Sequence, residues 1–244
     1  MKNPKKRGGT KIGEGEFGCV LYPALVSPPD EAPKYVTKIF NDINIKDYKN
    51  ELDIYENKIP LIPNYTEFII HLAPPEIQPL HQLNQDQITD IKTCHGIKGS
   101  DANRYLLNRS LVFNYVGQSL DKLQIKNKEE LEKVLNALEV LKTHIRTMNS
   151  ARYWHNDIKE SNITYNNGKC YLIDFGNFSN SQYMPPGHED LNNIDKVIAN
   201  IKLKNSDLLE KDGARAPLSP YGDLQSAASR KKRSKRRKTR RLKR

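Results

Sequence analysis

The 244-residue chain has only three cysteines, Cys19, Cys94 and Cys170. Their odd number and wide spacing give neither a disulfide framework nor a C-x-x-C metal pair, and a reducing compartment fits best. Long apolar runs are also missing. Phe68 to Leu72 is among the longest and is far too short to span a bilayer, and the basic start MKNPKKRGG leads into no apolar segment. These absences predict a soluble intracellular protein, cytoplasmic or nuclear, with no membrane partner. The folded part also lacks net charge. From Arg230 to Arg244 there are 12 Lys or Arg and no acids, which leaves 28 bases against 29 acids in residues 1–229. The formal charge of +11 therefore belongs to a tail, and the body is not expected to offer a nucleic-acid-binding surface.

What is present divides the chain. Residues 10–40 read as a strand, a Gly-rich turn, a second strand, a break at Pro28, Pro29 and Pro33, and a third strand from Tyr35 to Phe40. Ile45, Tyr48, Leu52, Tyr55 and Ile59 recur every three or four residues, which predicts a helix. Prolines crowd between Pro60 and Pro79 and polar residues follow, so residues 60–105 are expected to hold strands separated by loops, or an insertion. Leu111 to Val116 is a short apolar strand ended by Gly117. Leu131, Val134, Leu135, Leu138, Leu141, Ile145 and Met148 form one stripe of a long helix from about Lys128, with Asn127 as its N-cap. Two short strands flank the turn Asn166-Asn167-Gly168, and Leu191, Ile194, Val197, Ile198 and Ile201 mark a further helix from Asp190 to about Leu203. Residues 206–229 read as a weakly ordered linker and 230–244 as a disordered basic tail.

Several of these segments carry chemistry. Gly13-Glu14-Gly15-Glu16-Phe17-Gly18-Cys19-Val20 fits G-x-G-x-x-G-x-V, in which absent side chains let backbone amides approach phosphate oxygens; taken alone, a simple hairpin turn explains it as well. Lys38 lies on the third strand. His155-Asn156-Asp157-Ile158-Lys159-Glu160-Ser161-Asn162 is followed twelve residues later by Asp174-Phe175-Gly176. In this order the motifs resemble the protein kinase family, over about residues 10–200.

The resemblance implies an α+β, protein-kinase-like two-lobe fold, with the N-terminal lobe at 10–116 after a basic segment 1–9, and a truncated C-terminal lobe at 117–205. It implies ATP and Mg²⁺ as cofactors. Gly13, Gly15, Gly18 and Val20 would cover the nucleotide, and Lys38, paired with Glu51 rather than Glu56, would reach its phosphates. Asn114 and Val116 would offer backbone hydrogen bonds to adenine beside a gatekeeper Phe113. Asp157 would accept the proton of the attacking hydroxyl, Lys159 would neutralise the transferring phosphoryl group, and Asn162 and Asp174 would hold the metal. Lys159 matches serine/threonine-type loops, so alcohol acceptors on a protein substrate, or on the chain itself, are expected. Tyr55 would stack with Phe175 and His155.

The chain also departs from that family. Only 15 residues separate Asp174 from Asp190, with no A-P-E, which puts a peptide platform in doubt. Asp190-Leu191 resembles the helix-F aspartate of compact kinases, the RIO and KEOPS-complex types among them. Asn156 replaces the arginine of H-R-D, so a phosphate on Ser179, Ser181 or Tyr183 would lack its usual partner. Small size, polar insertions and the basic tail resemble kinase-like proteins of large DNA viruses, which would place the protein in a virion or an infected cell. Three readings follow: a serine/threonine protein kinase, a compact ATPase, self-phosphorylating switch or small-molecule kinase, and a pseudokinase scaffold with residues 230–244 binding nucleic acid.

Overall fold

The β-branched and aromatic residues at the start of the chain build one antiparallel sheet in the order β1 (Thr10–Gly15), β2 (Gly18–Tyr22), β4 (Tyr35–Phe40), β6 (Ser110–Asn114). The short strands β3 (Val26–Ser27) and β5 (Gln78–Pro79) pair separately. In this computed structural model residues 9–15, 18–41, 45–181 and 189–210 are described. The tip residues Glu16 and Phe17, Tyr183, most of the N-terminal segment, residues 211–229 of the expected linker and the basic tail lie outside them. The chain divides into two units, Met1–Lys204 and Asn205–Arg244. Within the second, Ser206–Glu210 forms a short helix, α6, where a linker is expected.

After the third sheet strand the chain enters α1 (Ile45–Asp53), continues through a π-helical turn Ile54–Lys58 and ends in a 3-10 turn Ile59–Leu61. The wide turn buries both Ile54 and Tyr55. Residues 60–105 depart from the sequence reading. Apart from the two-residue β5, their regular elements are helical, with α2 (Gln85–Lys92) and α3 (Ala102–Asn108) in place of several strands, within the insertion that is the other expectation. Asn84 and Gln87 form a reciprocal capping box that starts α2 despite its weak periodicity. Leu83, Ile91, Cys94, Ile97, Ala102, Tyr105 and Leu106 then bury one face of this insertion against Cys19, Leu21, Leu25 and Ile39 of the N-terminal lobe.

The second correction concerns the cysteines. Cys19 and Cys94 are joined by a disulfide, with their Cα atoms 5.8 Å apart, and only Cys170 is free. Sequence spacing could not reveal the pair, because the two cysteines are 75 positions apart and the chain between them folds back before returning to β2.

The C-terminal lobe is organised by α4 (Lys128–Ser150), whose Leu131, Val134, Leu138, Leu141, Ile145 and Met148 are almost fully buried. Asn127 caps it by accepting the Glu130 N–H at 2.9 Å. β7 (Gln118–Ser119), β9 (Ile163–Asn166) and β10 (Lys169–Leu172) make a small sheet, turned at Asn167-Gly168, where both residues have positive φ as a type I′ turn requires. β8 (Tyr153–Trp154) pairs with β11 (Ser179–Asn180), and α5 (Asp190–Lys204) packs beside α4. The result is an α+β, kinase-like fold in which residues 68–70 hydrogen-bond to Leu172 and tie the two lobes together. No helix among the described residues is long and apolar enough to cross a membrane.

Candidate functional site

Strand β4 delivers Lys38 and helix α1 delivers Glu51, and their side chains meet at 2.7 Å. The same ammonium lies 2.9 Å from Asp174, just beyond the end of β10. Glu51 is only 2 % exposed, whereas Glu56 faces solvent, so geometry selects the first of the two candidate partners. Burial alone would lower the Lys38 pKa, but Glu51 and Asp174 outweigh it and hold the ammonium above its ordinary range. Asp174 moves the other way: burial would raise it, but Lys38 dominates and keeps it below the usual carboxylate range.

Asp174 adopts a left-handed backbone, φ 63°, which turns the chain sharply after Ile173 and sends Phe175 inward. Phe175 is fully buried and contacts His155 at 4.6 Å and the edge of Tyr55 at 5.8 Å between ring centres. Tyr55 in turn meets Phe113 at 4.8 Å. His155 is held as the neutral ring. Burial lowers its pKa, and the bonding pattern suits one neutral tautomer, with Nε2 donating to the Ile173 carbonyl at 3.0 Å and Nδ1 accepting the Asp157 N–H at 3.3 Å.

The loop from His155 to Asn162 is shaped from below by Asp190, the first residue of α5 and fully buried. Its carboxylate accepts the backbone N–H groups of His155 and Asn156, each at 2.9 Å, and the side-chain amide of Asn149 at 3.1 Å. On this support Asp157 receives Lys159 at 2.7 Å and Asn162 Nδ2 at 2.8 Å on the same oxygen. Asn162 Nδ2 also reaches the Asp157 carbonyl, so the amide oxygen is the atom left to face a cation. Asn162 and Asp174 are bridged by a backbone bond from Ile173 N–H to the Asn162 carbonyl at 3.0 Å.

The Gly-rich strand pair, β1 and β2, continues the same sheet beyond β4, with Val20 opposite Lys38 in register. Its glycines have different causes. A Cβ on Gly18 would lie 1.9 Å from the Ile39 carbonyl oxygen, so that glycine is needed for β2 to approach β4. A Cβ on Gly15 would meet nothing within 4 Å among the described residues, so no packing contact there requires its missing side chain. At the end of β6, Asn114 donates its N–H to the His71 carbonyl at 2.9 Å and Tyr115, just beyond the strand, donates to the Lys34 carbonyl at 2.7 Å. The Asn114 N–H is therefore already used, which narrows its expected contact with a base to its carbonyl. Val116 is half-buried beside it.

Two contributors escaped the sequence reading. Asn156, read only as a lost arginine, donates its amide to the Asn177 carbonyl at 2.9 Å and the Ser179 hydroxyl at 2.8 Å, pinning the segment after Asp174-Phe175-Gly176. Its φ of 63° suits asparagine, the residue that tolerates this backbone best after glycine. Asn149 supports Asp190 from α4, and no sequence signal marks it.

An amide and a carboxylate oxygen form a hard, oxygen-only and incomplete donor set. That suits Mg²⁺, which takes one or two protein ligands and shares the rest with phosphates and water. Among the described residues no group of three or more His, Cys, Asp or Glu gathers into a self-sufficient metal site. The residues present therefore fit a cation brought in with a nucleotide.

No curated protein matches the chain. A family model does, over the segment that holds the 155–162 loop, Asp174 and Asp190, while the Gly-rich strands, Lys38 and Glu51 lie outside it and stand on geometry. Residues 103–203 match the RIO domain, so this part of the chain is similar to an atypical protein kinase family with ATP-dependent phosphotransferase or ATPase chemistry.

Proposed function

We propose that the protein transfers the γ-phosphoryl group of ATP to a serine or threonine hydroxyl of a protein substrate. The observation that carries this reading is the convergence of Lys38, Glu51 and Asp174 within 2.9 Å, next to a loop presenting Asp157 and Lys159. In this reading Lys38 steadies the α- and β-phosphates, and Glu51 keeps it from turning away. Asp157 accepts the proton of the acceptor hydroxyl as the oxygen bonds to phosphorus and the bridging P–O bond to ADP breaks. Lys159 holds Asp157 in place and brings a positive charge to the group in transfer. Asn162 and Asp174 would hold Mg²⁺, which neutralises phosphate charge when bound. Gly13, Gly15, Gly18 and Val20 would form the lid over the nucleotide, with Val116 and the Asn114 carbonyl as contacts to the base.

A second reading, an ATPase or self-phosphorylating switch, is favoured by the short stretch between Asp174 and Asp190, which leaves little chain for a peptide platform. Residues 230–244 supply a separate affinity, for nucleic acid, through counterion release. Incubation with γ-labelled ATP separates these readings. Label on serine or threonine of an added acidic or basic generic protein supports the kinase, label confined to the chain supports the switch, and free phosphate alone supports the ATPase. No turnover and no nucleotide binding would leave the scaffold.

A further inference from the structure

The turn after α2 is fastened to the Gly-rich strand pair at two adjacent residues, one for each strand. Glu14 on β1 and Cys19 on β2 are cross-strand partners, one pair behind Gly15 and Gly18 at the tip. Cys94 is bonded to Cys19, and the next residue, His95, donates its N–H to Glu14 at 2.6 Å. The preceding residue joins in as well: the Thr93 carbonyl accepts Lys11 Nζ at 2.8 Å, and that ammonium also holds Glu14 at 2.9 Å. The turn is itself preorganised. α2 is capped at Asn84, and Cys94 and Ile97 close successive backbone bonds to Ile91 and Cys94. Nothing comparable in position is implied by the phosphate-binding motif, which specifies the strands but not what grips them from outside.

We propose that residues 93–95 form a clasp that positions the Gly-rich strand pair over the nucleotide, and that the Cys19–Cys94 bond makes this positioning sensitive to redox state. The effect on ATP rests on the phosphotransferase reading above; the clasp itself does not. Without the disulfide, the strands keep only exposed polar contacts to the turn, which contribute little in water, together with the shared apolar core. Reduction consumes one dithiol. Its two thiols give two electrons and two protons to the cysteine sulfurs, the Sγ–Sγ bond breaks into two Cys thiols, and the dithiol closes into its own disulfide. Both sulfurs are buried, so exchange requires the turn to lift first.

The test uses the full chain in air-oxidised form and after prolonged treatment with a dithiol. Alkylation of the denatured protein should count one thiol before treatment, Cys170, and three after it. Hydrogen exchange without nucleotide should show residues 10–22 losing protection on reduction, while α4 is unchanged. The KM for ATP should rise by about fivefold or more on reduction, with kcat changed less, as expected for coupling between a positioning element and a ligand site. Cys94→Ser should show the reduced value with or without dithiol, and Cys170→Ala should respond like the wild type. Three free thiols in the oxidised sample, or equal protection of residues 10–22 in both states, overturns the clasp. If exchange changes as expected but neither form turns over ATP, the clasp stands and the phosphotransferase reading fails.

Discussion

Asp190 lies 35 residues after His155, yet its carboxylate accepts the backbone N–H of His155 at 2.9 Å and shapes the loop that presents Asp157. The residue is fully buried and also receives Asn156 N–H and the Asn149 amide. Replacing it with alanine strands these donors away from water, at a cost of about 3 kcal/mol or more. Asp190→Ala should therefore lower the denaturation midpoint sharply and reduce activity in whatever fraction folds, whereas Asp190→Asn should recover part of the stability. Chemical denaturation followed by Trp154 fluorescence measures both.

His155 sets an acid limit on stability. Its folded-state pKa is lowered by burial below the ordinary 6.5, so the unfolded chain takes up the proton more readily than the folded one. Stability from this residue is present above the unfolded pKa and is lost as pH falls below about 6.5. The free energy of unfolding should decline between pH 6.5 and 5 in the wild type. In His155→Phe, which keeps a ring against Phe175 but cannot titrate, the slope in that window should flatten.

Asn156 should act as a positioning residue for the segment that follows Asp174-Phe175-Gly176. Asn156→Gly keeps the left-handed backbone accessible while removing both hydrogen bonds to residues 177 and 179. Phosphoryl transfer should fall about ten- to hundredfold with ATP affinity little changed, the pattern of a misplaced acceptor side. Ser179→Ala, which removes only one of the two contacts, should lie between the variant and the wild type. Steady-state kinetics with separate ATP and acceptor titrations distinguish these outcomes.

Removing residues 230–244 should leave ATP turnover by the isolated protein unchanged and abolish salt-sensitive binding to nucleic acid. The remaining chain holds 28 bases against 29 acids and so has no excess positive charge to exchange for phosphate counterions. Titration of full-length and shortened protein with duplex DNA at low and moderate salt is the measurement, and undiminished binding by the shortened form would place the site in the body.

Local pattern and ordered motifs made much of the fold legible. The stripe from Leu131 to Met148 announced α4, and Asn167-Gly168 announced its hairpin. Lys38, Glu51 and Asp174 could be named because the kinase-like motifs that carry them occur in order along the chain, and the fold brings their side chains together. What escaped depends on distant chain segments meeting. The Cys19–Cys94 bond, Asn149 beneath Asp190 and the amide of Asn156 on Ser179 are tertiary contacts with no local period. The insertion misled for a different reason: prolines and polar residues hid α2, whose stability comes from the capping pair Asn84 and Gln87 and from Ile91 buried against the sheet, not from a strong stripe.

The central claim is that Asp157 serves the acceptor hydroxyl while Lys38 and Asp174 serve the nucleotide. Its most direct measurement is single-turnover transfer from γ-labelled ATP, run beside equilibrium ATP binding, for wild type, Asp157→Asn and Asp174→Asn. Asp157→Asn should cut transfer by about 10²- to 10⁴-fold while leaving ATP binding largely intact, and Asp174→Asn should weaken both. Equal transfer rates for wild type and Asp157→Asn would contradict the account and move the base, or the chemistry, elsewhere.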